Sequence, residues 1–278
     1  MTRQKLALVA HQDSPVSGDR IDNLTVIASG KGGVGKTWFS IHLAHALGLS
    51  KQHVLLIDGD FGLANVDVQL GLMPVNDLST VLSGHCGVDA CLIGDGPGAF
   101  DLLPGHSGAS GLATLSPCKT ALFKSLLVTL STRYDHIILD LGAGIGPLVT
   151  SFVPMAAQVT VVITAEPTSL TDAYVLIKVM KKHFPHVPLQ VVTNQVESVA
   201  EGKKVFNTLA QACEKFLGFR LHNLGFLPKE PAVPRAIRAQ KLLPHVAPDS
   251  MAWRKVQEMS RVLFQHKIAY VPRHSFSL

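Results

Sequence analysis

The stretch Lys31-Gly-Gly-Val-Gly-Lys-Thr37 has the residue types and spacing to hold a phosphate chain. Gly32, Gly33 and Gly35, with Val34 among them, let successive backbone N–H groups converge on phosphate oxygens. A helix starting at Lys36 would add the positive end of its dipole at the same place. Lys36 is expected to reach the β- and γ-phosphates of a nucleoside triphosphate, and the Thr37 hydroxyl to ligate Mg²⁺. Lys31 is the unusual component. On so short a loop it is unsuited to serve the same phosphate as Lys36, so it is expected to extend across a two-fold interface toward a partner's nucleotide. ATP would then favour a homodimer and hydrolysis would release it.

Carboxylates recur where such a loop needs them. The run Leu55-Leu-Ile-Asp58 is followed by Gly59-Asp60, which puts two acids at the end of a strand, where ligands of open α/β sheets collect. Asp58 is expected either to join the Mg²⁺ shell or to stabilise the loop lysine, and Asp60 to orient the attacking water. A third acidic strand end, Ile137-Ile-Leu-Asp140, offers a carboxylate to Mg²⁺-bound water, and the following Gly142 and Gly144 suit a segment that moves toward the γ-phosphate.

The elements that must position these groups can be read from the hydrophobic pattern. Apolar runs at 24–29, 53–58, 134–140, 158–164, 187–194 and 222–227 are nearly continuous, as in central parallel strands covered on both faces. Segments 36–49, 168–184, 201–217 and 251–265 read as helices, with Pro154, Pro185 and Pro188 near element boundaries. The expected architecture is α/β, a mostly parallel doubly wound sheet in three α/β/α layers. Residues 1–23 are expected to form an N-terminal extension, disordered or with a short helix at Arg3–His11. Residues 24–266 would form one domain and 267–278 a tail. In the last helix Trp253, Val256, Met259 and Leu263 make an apolar stripe that suits packing on the domain, with a membrane surface as the alternative.

The chain has 278 residues and a formal charge of +5, with its basic residues dispersed rather than massed, so nucleic acid is not indicated as a partner. No opening signal sequence and no long apolar span is evident, so a cytoplasmic location is expected. Cys86, Cys91, Cys118 and Cys213 lack a CxxC pair and are expected to be free, buried thiols, with a metal or cluster shared between chains at Cys118 as the alternative.

The loop, including Lys31, together with Ile57–Leu72 (IDGDFGLANVDVQLGL), resembles the deviant Walker-A ATPases of the MinD/ParA class. Glu166–Lys182 (EPTSLTDAYVLIKVMKK) and Asn194–Leu209 (NQVESVAEGKKVFNTL) are most similar to its branch controlling flagellar number and placement, known as FlhG or FleN. The resemblance implies that Lys31 is the signature lysine crossing the dimer, that Asn65 lies near the hydrolytic site, and that Asn194 and Pro228 attend the adenine. Asn65 would otherwise cap a helix. Trp38 is a departure within the nucleotide site, standing where the family has a hydroxyl for the α-phosphate. The N-terminal helix that would engage a partner GTPase has only a faint counterpart, and the C-terminal membrane-targeting helix is abbreviated. The implied function is an ATP-dependent dimerising switch with slow hydrolysis that regulates the number or placement of flagella. Its partners would be a flagellar GTPase, a transcriptional activator or basal-body proteins, with contact at the inner membrane face or cell pole. The alternative is a positioning ATPase for division, DNA partition or another polar structure; a non-hydrolysing scaffold, motivated by Trp38, is a third reading.

Overall fold

A computed structural model describes residues 20–62, 64–94, 96–105 and 115–269, with side chains described as far as residue 263. The helix expected at Arg3–His11 and the tail beyond residue 269 lie outside the described residues. Strands β1 (Ile21–Ala28), β2 (Val54–Gly59), β3 (Asp101–Leu103), β4 (His136–Leu141), β5 (Ala156–Ile163), β6 (Leu189–Val196) and β7 (His222–Pro228) form one sheet. Its order is β3-β2-β4-β1-β5-β6-β7, and these neighbours all pair in parallel. The chain therefore moves to one side of β1 and later to the other, which opens a crevice at the carboxyl end of β1.

The helices are α1 (Lys36–Gly48), α2 (Val66–Leu70), α3 (Leu78–Leu82), α4 (Pro117–Ser131), α5 (Pro147–Phe152), α6 (Pro167–His183), α7 (Val199–Leu217), α8 (Ala232–Arg238), α9 (Leu243–Val246) and α10 (Met251–Ala269). Alternate residues of the strands feed two cores. Val26, Ile57, Leu139 and Val161 pack with α4 to α7 on one face, while Ile27, Leu56, Ile138 and Val162 pack with α1 and α10 on the other. Burial on both faces is why the strands read as unbroken apolar runs. No helix among the described residues is long and apolar enough to cross a membrane.

The expected strands and helices are present, with ends displaced by a few residues. β1 begins at Ile21, so part of the expected extension belongs to the sheet, and α10 runs past the expected boundary at 266/267 to Ala269. The edge strand β3 is too short to show a period. Helix α4 starts at a Ser116 cap, whose hydroxyl accepts the Lys119 N–H, followed by Pro117, a start signal that the hydrophobic pattern alone missed. The α10 stripe is packed rather than surface-lying: Trp253, Val256, Met259 and Leu263 are buried. A Cβ on Gly225 of β7, where φ is +154, would come within 2.5 Å of Met259 Cε and displace that methyl group.

Between α1 and α10 lies a cluster of aromatic and imidazole rings. Trp38 stacks on His42 at 4.3 Å, and Trp253 lies 6.2 Å from His42 and 5.4 Å from His45. His42 Nε2 accepts the Leu243 N–H at 2.9 Å, so its proton sits on Nδ1, 2.8 Å from the Trp38 carbonyl oxygen. Burial, with the nearby His45 and His245 as lesser causes, pushes His42 down to about 3. Burial and then His245 take His45 to about 4. Both rings stay neutral in the fold but gain protons near pH 6.5 once unfolded, so their contribution is complete above that pH and is lost as pH falls toward 3. Between pH 7.5 and 5 the loss from His42 is about 2 kcal/mol. His42→Gln keeps an acceptor for Leu243 and a donor for Trp38 without a titrating ring. Its unfolding free energy should fall less than that of the wild type, by about that amount, when denaturant titrations at pH 7.5 and pH 5 are compared.

Candidate functional site

Register decides where the acids meet. Asp58 on β2 stands opposite Asp140 on β4, and Asp140 in turn is opposite Ile27 on β1. Residues in register on parallel neighbours face the same way, and here that is the α1 side. The loop between β1 and α1 ends at Gly35 with φ +85, a left-handed conformation that favours glycine, and a Cβ there would lie 2.3 Å from Asn194 Nδ2. The first turn of α1 holds no acidic side chain that would cancel its positive end.

Asp140 is fully buried and gathers the donors of that turn. Lys36 Nζ donates to its Oδ1 at 2.8 Å, Thr37 Oγ1 to its Oδ2 at 2.7 Å, and Ser40 Oγ to its Oδ1 at 2.9 Å. The loop lysine is thus held by Asp140 and not by Asp58, because α1 crosses over β4. Asp58 instead organises the chain beyond β2. Its Oδ1 accepts the Asp60 N–H at 3.1 Å, and its Oδ2 accepts those of Asn65 at 3.0 Å and Val66 at 3.1 Å. Burial and the neighbouring Asp140 charge push Asp58 up to about 7, against the opposing pull of those three N–H groups.

Asp60 and Asn65 line a cleft of about 530 Å³ together with Lys31 to Trp38, Gln69 and Gly142 to Ala143. Asp60 Oδ1 accepts the Gly62 N–H at 3.3 Å, and a Cβ on Gly142 would lie 3.1 Å from that oxygen. Gly144, with φ +96, donates its N–H to Ser29 O at 2.8 Å, tying the segment after β4 to the end of β1. Asn65 occupies the cap position of α2 without a side-chain capping bond. A cavity of about 690 Å³ lies at the opposite, amino ends of the strands, among Asn23, His136 and Gln190, and holds none of these groups.

Two placements, those of Lys31 and Asn194, could not be read from local sequence, and a third, that of Ser40, was missed although its spacing carries a signal. Lys31 Nζ is bonded within its own chain, to Glu166 Oε2 and, at 3.0 Å, to Thr168 Oγ1 at the start of α6. Asn194 is buried beneath the loop, where its Nδ2 donates to Val34 O at 2.8 Å and its Oδ1 accepts the Gln195 N–H at 2.8 Å. Ser40 joins the site from one turn below Lys36, a spacing of four residues that marks a shared helix face. Pro228 ends β7 in register with Val196. Trp38 is buried against His42, with its indole N–H lacking a partner among the described residues.

The donor set suits a hard divalent cation: the Thr37 hydroxyl and the two carboxylates are oxygen ligands. Burial and then the Asp140 charge disfavour the ionised form of Asp58, and a bound cation would favour it.

Comparison with known proteins agrees with this geometry. Residues 25–243 match the CobQ/CobB/MinD/ParA nucleotide binding domain. The chain is 38% identical to antiactivator FleN of Pseudomonas aeruginosa over 227 residues, 81% of this chain and 80% of that one. It is 31% identical to the flagellum site-determining protein YlxH of Helicobacter pylori over 239 residues, covering 85% and 80% respectively. Its fold is similar to that of the septum site-determining protein MinD of Pyrococcus horikoshii complexed with Mg-ADP, with a TM-score of 0.72 at 22% identity, covering 87% of this chain and 95% of that one.

Breaking the buried pair should be costly even without nucleotide. Asp140→Ala leaves Lys36 charged and buried without its carboxylate, and should lower unfolding free energy by about 3–5 kcal/mol in a urea titration. Asp140→Asn, which still accepts hydrogen bonds, should lose less.

Proposed function

The chain belongs to the CobQ/CobB/MinD/ParA family of P-loop ATPases, and we propose that it works as an ATP-driven, dimerising positioning switch that sets the number or placement of flagella. The ATPase part of this reading rests on the glycine loop leading into the Lys36, Thr37 and Asp140 cluster. The flagellar part rests on the two relatives whose names refer to an antiactivator and to flagellum site determination. A positioning role in division or partition uses the same chemistry on the same fold.

The loop amides and the α1 N-terminus bind the phosphate chain, with Lys36 transferring its charge from Asp140 to the β- and γ-phosphates. Thr37, Asp140 and Asp58 would hold Mg²⁺, directly or through water, which supplies charge compensation on the phosphates. Asp60 orients the attacking water from the rim of the cleft, with Asn65 beside it. Trp38 borders the phosphates, and Asn194 and Pro228 attend the base. Lys31 must leave Glu166 and Thr168 to reach a partner's nucleotide. That exchange is cheap, because an exposed ion pair contributes about 0–1 kcal/mol.

Lys36→Ala should abolish ATP binding. Asp60→Ala should retain binding but lose at least about 10²-fold in single-turnover hydrolysis, as expected for a group that positions or deprotonates water. Lys31→Ala should remain monomeric with ATP in sedimentation experiments. Hydrolysis by Asp60→Ala at the wild-type rate, or normal dimers of Lys31→Ala, would overturn the respective role. Deleting the gene should change the number or position of flagella seen by electron microscopy, with rescue by the wild type and not by Asp60→Ala. Unchanged flagella alongside intact ATP turnover would favour the division or partition reading.

A further inference from the structure

We infer that Cys86 and Cys91 form a redox-active dithiol, a modification site that closes reversibly to an intramolecular disulfide on the α3 side of the molecule. The cysteines are expected to be free, buried thiols, and all four are free, but not all are buried. Cys118 is exposed, Cys86 is half-buried, and the Cys86 and Cys91 sulfurs lie 3.1 Å apart. Their side chains converge, so bonding requires an approach of only about 1 Å to the usual disulfide length.

The local chain can supply that movement. Cys86 lies between Gly84, with φ +73, and Gly87, and a Cβ on either glycine would meet nothing within 4 Å. Beyond Gly87 the turn Val88–Ala90 brings the chain back, with the Cys91 N–H on Val88 O at 2.9 Å, and Cys91 packs into the core. Cys86 is therefore the more exposed of the two, with Cys91 buried against it.

A low-molecular-weight disulfide such as oxidised glutathione suffices as the oxidant. The Cys86 thiolate attacks one glutathione sulfur, breaking the S–S bond and releasing glutathione as a thiolate. Cys91 then attacks Cys86 Sγ in the mixed disulfide, gives its proton to the departing second glutathione, and completes the ring. The two cysteines lose two electrons and two protons, and oxidised glutathione becomes two molecules of reduced glutathione. Burial, together with the neighbouring Cys86 sulfur, pushes the Cys91 thiol up to about 12, so Cys86 is the thiol that meets the oxidant first and the attack by Cys91, driven by its proximity, is the slow step. With only a five-residue separation between the cysteines, the crosslink restricts little unfolded chain and gains little from loop entropy. With Cys86 half-buried, the bond stays within reach of an attacking thiol, as a reversible modification requires.

The test uses the folded full chain carrying Cys118→Ser, equilibrated in glutathione buffers from fully reduced to fully oxidised, quenched by alkylation and mapped by peptide mass spectrometry. The expected product at the oxidising end has lost two hydrogens and both alkylation sites at Cys86 and Cys91, and dithiothreitol restores them. Adding Cys91→Ser should stop the reaction at a Cys86–glutathione adduct. Free, alkylatable Cys86 and Cys91 at every ratio would overturn the inference. So would glutathione adducts without the internal bond, or pairing of Cys86 with Cys213.

Discussion

A buried carboxylate at the centre of the sheet governs the site. Asp140 is fully removed from water, and a lone charge there would cost several kcal/mol. The fold tolerates it because Lys36, Thr37 and Ser40 all donate to it from one face of α1. That requirement locks the first turns of α1 over β4, and so fixes where the preceding loop presents its amides. The phosphate cradle and the sheet are thereby one object, joined by charge-assisted hydrogen bonds.

Asp58, alongside in register, complicates the charge balance. Two carboxylates face one buried lysine, and three backbone N–H groups only partly relieve Asp58, which remains pushed toward protonation. Its bonds to Asn65 and Val66 connect this charge to the start of α2 and thus to the rim that carries Asp60. A cation arriving with nucleotide would change the electrostatics of β2, β4 and that rim together. The second lysine of the loop takes no part in this balance, since Lys31 is turned outward to Glu166, the residue that precedes α6, and changes partners at little cost.

Close backbone approaches keep the frame rigid. A Cβ on Gly30 would lie 2.4 Å from the Asp172 carbonyl carbon, and one on Gly48 would lie 1.5 Å from Ala99 O. The two ends of the loop–α1 unit are thus pinned by neighbouring main chain. Along its length α1 is buried on nearly every side, with His42 and His45 hydrogen-bonded to backbone and stacked against Trp38 and Trp253. A helix so enclosed lacks a clear polar face, which is why its apolar period was a weaker guide than the glycine loop before it.

The sequence by itself determined the parts of the protein whose cause is local. Gly32 to Thr37 spell out a phosphate loop because the required backbone shapes and donors are adjacent in the chain, and the apolar runs spell out parallel strands because each is buried on both faces. It also located Asp58, Asp60 and Asp140 at strand ends. Tertiary structure alone decided which acid holds Lys36, because that depends on the order and register of strands more than 70 residues apart in sequence, Asp58 and Asp140. Likewise, the Lys31–Glu166 bond spans 135 residues, the Asn194–Val34 bond spans 160, and the paired Cys86 and Cys91 sulfurs depend on how one turn folds back onto the core. Hydrophobic period and turn chemistry report a residue's immediate neighbours along the chain, whereas hydrogen bonds and ion pairs at the site depend on distances that exist only after the sheet has assembled.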